Sequence, residues 1–236
     1  ILSMVVFGTI SVFVKNIPLS SGEISLFRAI IASLAIILWK HASGKKIPFS
    51  NIKADLHILF PSGAAMGFNW ILLFQAYRYT TVSVATLSYY FAPVIVMVVS
   101  PFLFKEKLTM KQIFCFVMAT IGLVLIIGVD GLEKSSKGMT GIGFGLGAAA
   151  LYALVVILNK YIKRVTGTDR TIIQFFAAIL VLIPYVMATT GVGVVNLDYI
   201  GILNLLILGL IHTGLSYVLY FSSLKDLDGQ EAAILS

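Results

Sequence analysis

A chain of 236 residues with 59% hydrophobic and only 11% charged residues lacks the charge to sit in water, where domains carry about 25%. Its mean hydropathy of +1.00 makes lipid the expected solvent and excludes an ordinary water-soluble domain. The net charge of +7 has no contiguous basic face on a soluble fold behind it, which argues against a nucleic-acid partner.

A bilayer core takes about 20 apolar residues per helix. The apolar runs here are long and lack period-two alternation, which predicts helices and not barrel strands. In chain order the spans are predicted at 1–14, 22–39, 56–77, 80–104, 109–129, 139–159, 171–190 and 199–222, with a ninth opening near 229. The first is short for a bilayer. It has no charged leader and no A-x-A cleavage site, so a signal peptide is not expected, and the helix is read as incomplete at its start.

Some spans carry residues that lipid does not favour. In the second, Arg28 lies about two turns in, where a charge at the bilayer centre costs about +2.5 to +3.5 kcal/mol; near the outer third it could snorkel. It anchors the span or attracts an anionic group such as a carboxylate. The third span holds Asn69 and Trp70. The fourth reads S-Y-Y at Ser88, Tyr89 and Tyr90 and then meets Pro93, which removes a backbone donor and is expected to kink the helix. At its inner end Glu106 stands between Lys105 and Lys107, as a gate ion pair or a solvated charge. The lone cysteine, Cys115, is read as an inert core residue of the fifth span and forms no internal disulfide.

The sixth span opens on "GIGFGLGAAA" (141–150). Inside a membrane span and after no strand, this is no nucleotide fingerprint. The pairs Gly141/Gly145 and Gly143/Gly147 instead allow close helix contact. Tyr152 follows in the same span, and His212 and Tyr217 lie in the eighth. No span contains Asp or Glu away from its ends, so ion coupling within these residues falls to His212, a group able to titrate near neutral pH, or to backbone oxygens.

Orientation follows from Lys and Arg. The loops after spans two, four, six and eight hold Lys40, Lys45, Lys46, Lys53, Lys105, Lys107, Lys111, Lys160, Lys163, Arg164, Arg170 and Lys225; the other set holds Lys15, Arg78, Lys134 and Lys137. The first set is expected in the cytoplasm.

The two halves of the chain resemble each other. At one constant offset Phe27, Ala29, Ile31 and Leu34 fall on Phe175, Ala177, Ile179 and Leu182, and Ala85, Leu87 and Ser88 fall on Ala233, Leu235 and Ser236. Five spans per half force the second half to enter from the opposite side, which is an inverted-topology repeat. The expected fold is therefore all-α: a polytopic membrane protein of two five-helix units, ten helices in full. The units cover 1–129, with its start incomplete, and 138–236, cut in the ninth helix with the tenth missing.

Residues 91–109, "FAPVIVMVVSPFLFKEKLT", place a Pro early in an apolar run, then a helix end reading E-K-L-T, then a span with Gly122. This resembles the EamA family of the drug/metabolite transporter superfamily, in which the fourth helix carries P…(G)E-r-l-t at its cytoplasmic end. Arg28 in "LFRAIIASL" matches an Arg common in that family's second helix. Lys105 stands where the family usually has Gly. The resemblance implies a ten-helix permease for small metabolites, often outward.

The function expected is alternating access of a midplane cavity to an amphipathic, amino-acid-like solute. Asn69, Ser88, Tyr89, Tyr152 and His212 line the cavity, Arg28 attracts an anion, and Pro93 is the hinge. No cofactor and no metal is implied. The partners are a small-molecule substrate and the lipid bilayer, with a homodimer allowed. The location is the plasma (inner) membrane, with both termini of the full-length protein cytoplasmic. A membrane-embedded enzyme would need a nucleophile–base set or metal cluster, and the sequence contains no H-E-x-x-H, G-x-S-x-G or close carboxylate pair. A passive scaffold would not need two similar halves.

Overall fold

The computed structural model describes residues 6, 8–44, 49–104, 109–130, 136–165, 167–191, 193, 197–217 and 219. Among them the helices are α1 (Ile10–Lys15), α2 (Ser21–Ala42), α3 (Phe49–Tyr79), α4 (Val82–Tyr89), α5 (Ala92–Phe104), α6 (Met110–Asp130), α7 (Ser136–Tyr161), α8 (Gly167–Thr189) and α9 (Tyr199–Ile207). The last runs on into a π-helical segment, Leu208–Leu215. Glu106 and the ninth span near 229 fall outside the described residues, and Cys115 on α6 is exposed, not a core residue. Among the described residues five stretches are long and apolar enough to cross a membrane: Ser21–Ala42, Ile52–Tyr79, Val82–Phe104, Lys137–Tyr161 and Gly167–Thr189. The protein is an all-α polytopic membrane protein.

Local chemistry starts and stops these helices. Ser20 and Glu23 form a reciprocal capping box at the start of α2, with Glu23 N–H donating to Ser20 Oγ at 3.2 Å and Ser20 N–H to Glu23 Oε2 at 3.0 Å. Thr81 caps α4 through Val84 N–H at 3.3 Å, and Asp198 caps α9 through Gly201 N–H at 2.9 Å. Helix α8 ends on Gly191, whose φ of 69° lets its N–H reach back to Val186 O at 2.8 Å. The fourth span is interrupted at Tyr90 and Phe91, between α4 and α5, and Pro93 stands in the first turn of the second piece. That position tolerates its missing N–H.

The chain divides into two compact units, residues 1–67 with 162–236 and residues 68–161. Each takes helices from both halves of the sequence. In the first unit α2 packs against α8 and the π segment. Ile24, Ala29, Ala32 and Ile36 of α2 and Ile172, Phe175, Ala178, Leu182 and Val186 of α8 are buried. A second cluster joins Ile52 and Leu59 of α3 to Ile162 and Val165, with Ile173 against it. On its other face α8 exposes Phe176, Leu180, Ile183 and Met187, spaced as one stripe of a helix; in hydrocarbon such a stripe costs nothing. In the second unit α4 and α5 pack against α7, around Val84, Ala85, Ala92, Val94, Ala148, Ala149 and Ala153.

Candidate functional site

In the second unit one face of α7 organises the polar residues. Gly141, Gly145, Ala148 and Tyr152 recur at helical spacing, so they line one side. At Gly141 an added Cβ would come within 2.7 Å of Thr80 Cβ, and at Gly145 within 2.7 Å of Ser88 Cβ. Only glycine lets α4 come this close. Gly147 makes a looser contact, 3.2 Å to Leu72, and Gly143 meets nothing within 4 Å, so the close-contact pair is Gly141/Gly145 and not Gly143/Gly147. Ser88, fully buried, turns its hydroxyl back to Val84 O at 2.8 Å.

One turn beyond Gly145, Ala148 O accepts a 2.6 Å bond from Asn69 Nδ2 on the second half of α3. Asn69 is buried. A further turn along α7, Tyr152 meets Tyr89 with ring centroids 5.5 Å apart, and the Tyr90 ring stands 6.3 Å from that of Tyr89. Tyr152 is 39% exposed and Tyr89 half-buried. The structure thus brings together Asn69, Ser88, Tyr89 and Tyr152 in one unit, along α7. The arrangement offers an amide, phenol hydroxyls and aromatic faces, which suits a small solute with both polar and apolar parts.

His212 and Arg28 lie in the first unit. Arg28 does not snorkel: it is 3% exposed and its Nε donates to Thr213 Oγ1 at 2.6 Å. Burial inside a helix bundle gives the guanidinium hydrogen-bond partners that lipid cannot. His212 is buried, with Nε2 2.9 Å from Thr9 Oγ1, Nδ1 3.3 Å from Ile207 O, and Phe13 packed on the ring at 4.7 Å between centroids. The π geometry sets these directions. Thr213 and Ser216 bond their hydroxyls to the carbonyls five residues back, Leu208 and Ile211. Such i→i+5 turns are rare and frequently mark functional sites. Gly209 lets the segment approach α2, since a Cβ there would lie 2.6 Å from Ile31 Cβ.

Sequence reasoning missed several contacts. Glu23, besides capping α2, accepts from Gly193 N–H at 2.5 Å; the S-x-x-E spacing before an apolar run is a signal that could have flagged it. Lys40 pairs with Asp169, and the buried Asp55 accepts from Arg164 N–H at 3.0 Å. Gln174 Nε2 donates to Ser62 Oγ at 2.6 Å. The last three join residues far apart in sequence, and no local pattern announces them. Among the described residues no group of three or more His, Cys, Asp or Glu could hold a metal ion.

The apolar spans among the described residues make this a multi-pass membrane protein. The chain belongs to the EamA-like transporter family, whose family model it matches over residues 1–128 and 139–236. It is 29% identical over 236 residues to the uncharacterized transporter YxxF of Bacillus subtilis, covering 100% of this chain and 75% of that one. It is 29% identical over 227 residues to solute carrier family 35 member G1 of mouse, covering 91% of this chain and 60% of the relative. An uncharacterized transporter of Archaeoglobus fulgidus is 27% identical over 240 residues, covering 100% and 80%. The family places the chain in the drug/metabolite transporter superfamily. No solved structure matches it.

Proposed function

We propose that the protein is a secondary carrier that moves a small amphipathic, amino-acid-like metabolite outward by alternating access. The observation that carries this reading is the run Asn69–Ala148–Tyr152–Tyr89 on α3, α7 and α4, polar and aromatic groups gathered within apolar spans. Asn69 and Ser88 fix polar atoms of the solute, the paired rings of Tyr89 and Tyr152 lie against its apolar part, and the break before Pro93 is the hinge. Within the first unit, His212 and Arg28 are the polar groups set among apolar spans, Arg28 able to attract an anionic group. Two five-helix repeats, 1–129 and 138–236, inserted in opposite senses, expose the midplane cavity to each side in turn. The carrier sits in the plasma membrane with its Lys- and Arg-rich loops, and both termini of the full-length protein, in the cytoplasm. It is not an enzyme.

The test is flux of labelled amino acids, nucleosides and cationic drugs in right-side-out and inside-out vesicles bearing the full-length chain. Directional flux of an amino-acid-like solute is expected, falling about tenfold or more in Tyr89→Ala and Asn69→Ala; each tenfold corresponds to about 1.4 kcal/mol of lost binding. No flux of any of the three classes would overturn the reading.

A further inference from the structure

The fourth and sixth spans run in the same direction. Contacts follow one another in the same order along both: Thr80 meets Gly141, Ser88 meets Gly145, Tyr89 meets Tyr152, and Phe104 meets Tyr161 with ring centroids 5.3 Å apart. Phe104 closes α5 and Tyr161 closes α7, so the two helices end side by side. There Lys160 Nζ stands 4.3 Å from the centre of the Phe104 ring, within the ~6 Å reach of a cation–π contact. Phe102 and Leu103 are exposed, whereas Phe104 is half-buried. One turn further in, on the same face of α5, Ser100 is 6% exposed.

The two ends of α5 are held differently. Its start is packed through the buried Ala92 and Val94, beside the break at Tyr90 and Phe91. Such element-terminal positions absorb the backbone change of a hinge. Its far end meets a cation and a ring. Along a helix Pro93 and Phe104 are about 16 Å apart. A tilt of about 10° at the break therefore carries Phe104 about 3 Å, enough to take its ring out of reach of the ammonium. A cation–π contact at an exposed site is weak, so it breaks and remakes readily. The first unit is pinned by charge instead. Lys40 pairs with Asp169, Asp55 accepts the Arg164 N–H, and Glu23 accepts that of Gly193.

We propose that Lys160, Phe104 and Tyr161 form a latch that shuts one end of the second unit, and that α5 swings on the break before Pro93 when the latch opens. This rests on the carrier reading and names the residues that close its inner side. The sequence after α5 and α7 holds Lys105, Lys107, Lys163 and Arg164, which the charge rule puts in the cytoplasm. Closed, the latch shields Ser100, and beyond it Tyr89 and Tyr152, from that side. Open, it admits water and solute between α5 and α7.

The experiment is labelling of Ser100→Cys by an impermeant maleimide in inside-out vesicles, using the full-length chain with its other cysteines replaced by Ser. With the latch intact the reaction should be slow. Lys160→Met keeps the stem and deletes the charge, and Phe104→Leu keeps an apolar side chain and deletes the ring face. Each should speed labelling about two- to fivefold, the factor that one exposed cation–π contact supports. Lys160→Arg keeps a cation over the ring and should leave the rate unchanged. Labelling unmoved by Lys160→Met and Phe104→Leu overturns the proposal. So does a response to Lys160→Met alone, which would put the ring outside the tie, or a rate in Lys160→Arg as fast as in Lys160→Met. Faster labelling from the outside, in right-side-out vesicles, would overturn the inner placement. Solute flux with labelling unmoved would keep the carrier and remove the latch; a labelling response without flux of any class would do the reverse.

Discussion

Arg28 shows how a membrane bundle keeps a cation. Its Nε rests on Thr213, whose own hydroxyl proton goes to Leu208 O. Thr213→Val keeps the shape and deletes the acceptor, leaving a charged donor short of a partner in a dry place; about 1.5–3 kcal/mol of stability should be lost. Thermal unfolding in detergent reads this as a lowered Tm, and Thr213→Ser should recover most of it. Gly145 makes a second residue-scale test. Gly145→Ala puts a Cβ 2.7 Å from Ser88 Cβ and should cost about 1–3 kcal/mol of overpacking. Gly143→Ala meets open space and should be neutral or stabilising by up to about 1 kcal/mol. Single residues were legible to a point. Asn69, Tyr89, Tyr152, Arg28 and His212 stand out because hydrocarbon makes polar groups costly, so each one in a span needs a reason. Their partners were not legible: Thr9 meets His212 at 2.9 Å only through tertiary packing, with nearly the whole chain between them.

At the scale of elements, run length and hydropathy carried the reading furthest. The second, third, sixth and seventh spans overlap α2, α3, α7 and α8, because a bilayer dictates how long an apolar helix must be. The interruption of the fourth span was legible only as a proline, since nothing local says whether a chain bends or breaks there. The π segment left no mark at all; it depends on how closely Gly209 and Gly214 let it approach Ile31 and Ala35. The pairing of α2 with α8 yields its own prediction. Lys40 lies in the last turn of α2 and Asp169 in the first turn of α8, each where the helix dipole favours its sign. Lys40→Asp puts two carboxylates together and should lower both Tm and flux. The exchange Lys40→Asp with Asp169→Lys should restore the pair but not the dipole terms, about 0.3–1 kcal/mol each, so rescue should be partial. Full loss in the double variant would deny the pair any role in holding the two helices.

For the whole molecule the question is which ends face the cytoplasm. With Cys115 replaced by Ser, single cysteines at Ser43, after α2, and at Gly191, after α8, mark loops that the charge rule assigns to opposite sides. An impermeant maleimide applied to intact cells should label Gly191→Cys at once and Ser43→Cys only after permeabilisation. Equal labelling of both would undo the orientation. The break in the fourth span reaches furthest. Val82–Phe104 is long enough to cross the bilayer, and its helix lapses at Tyr90 and Phe91, near its middle, where Pro93 has no N–H to give Tyr89 O. Backbone at that depth survives only against protein or water. Heavy water should therefore enter the sheet of lipid at this one height: the amides of Phe91, Ala92 and Val94 should trade hydrogen for deuterium well before those of Val84 or Val99, turns away in the same span.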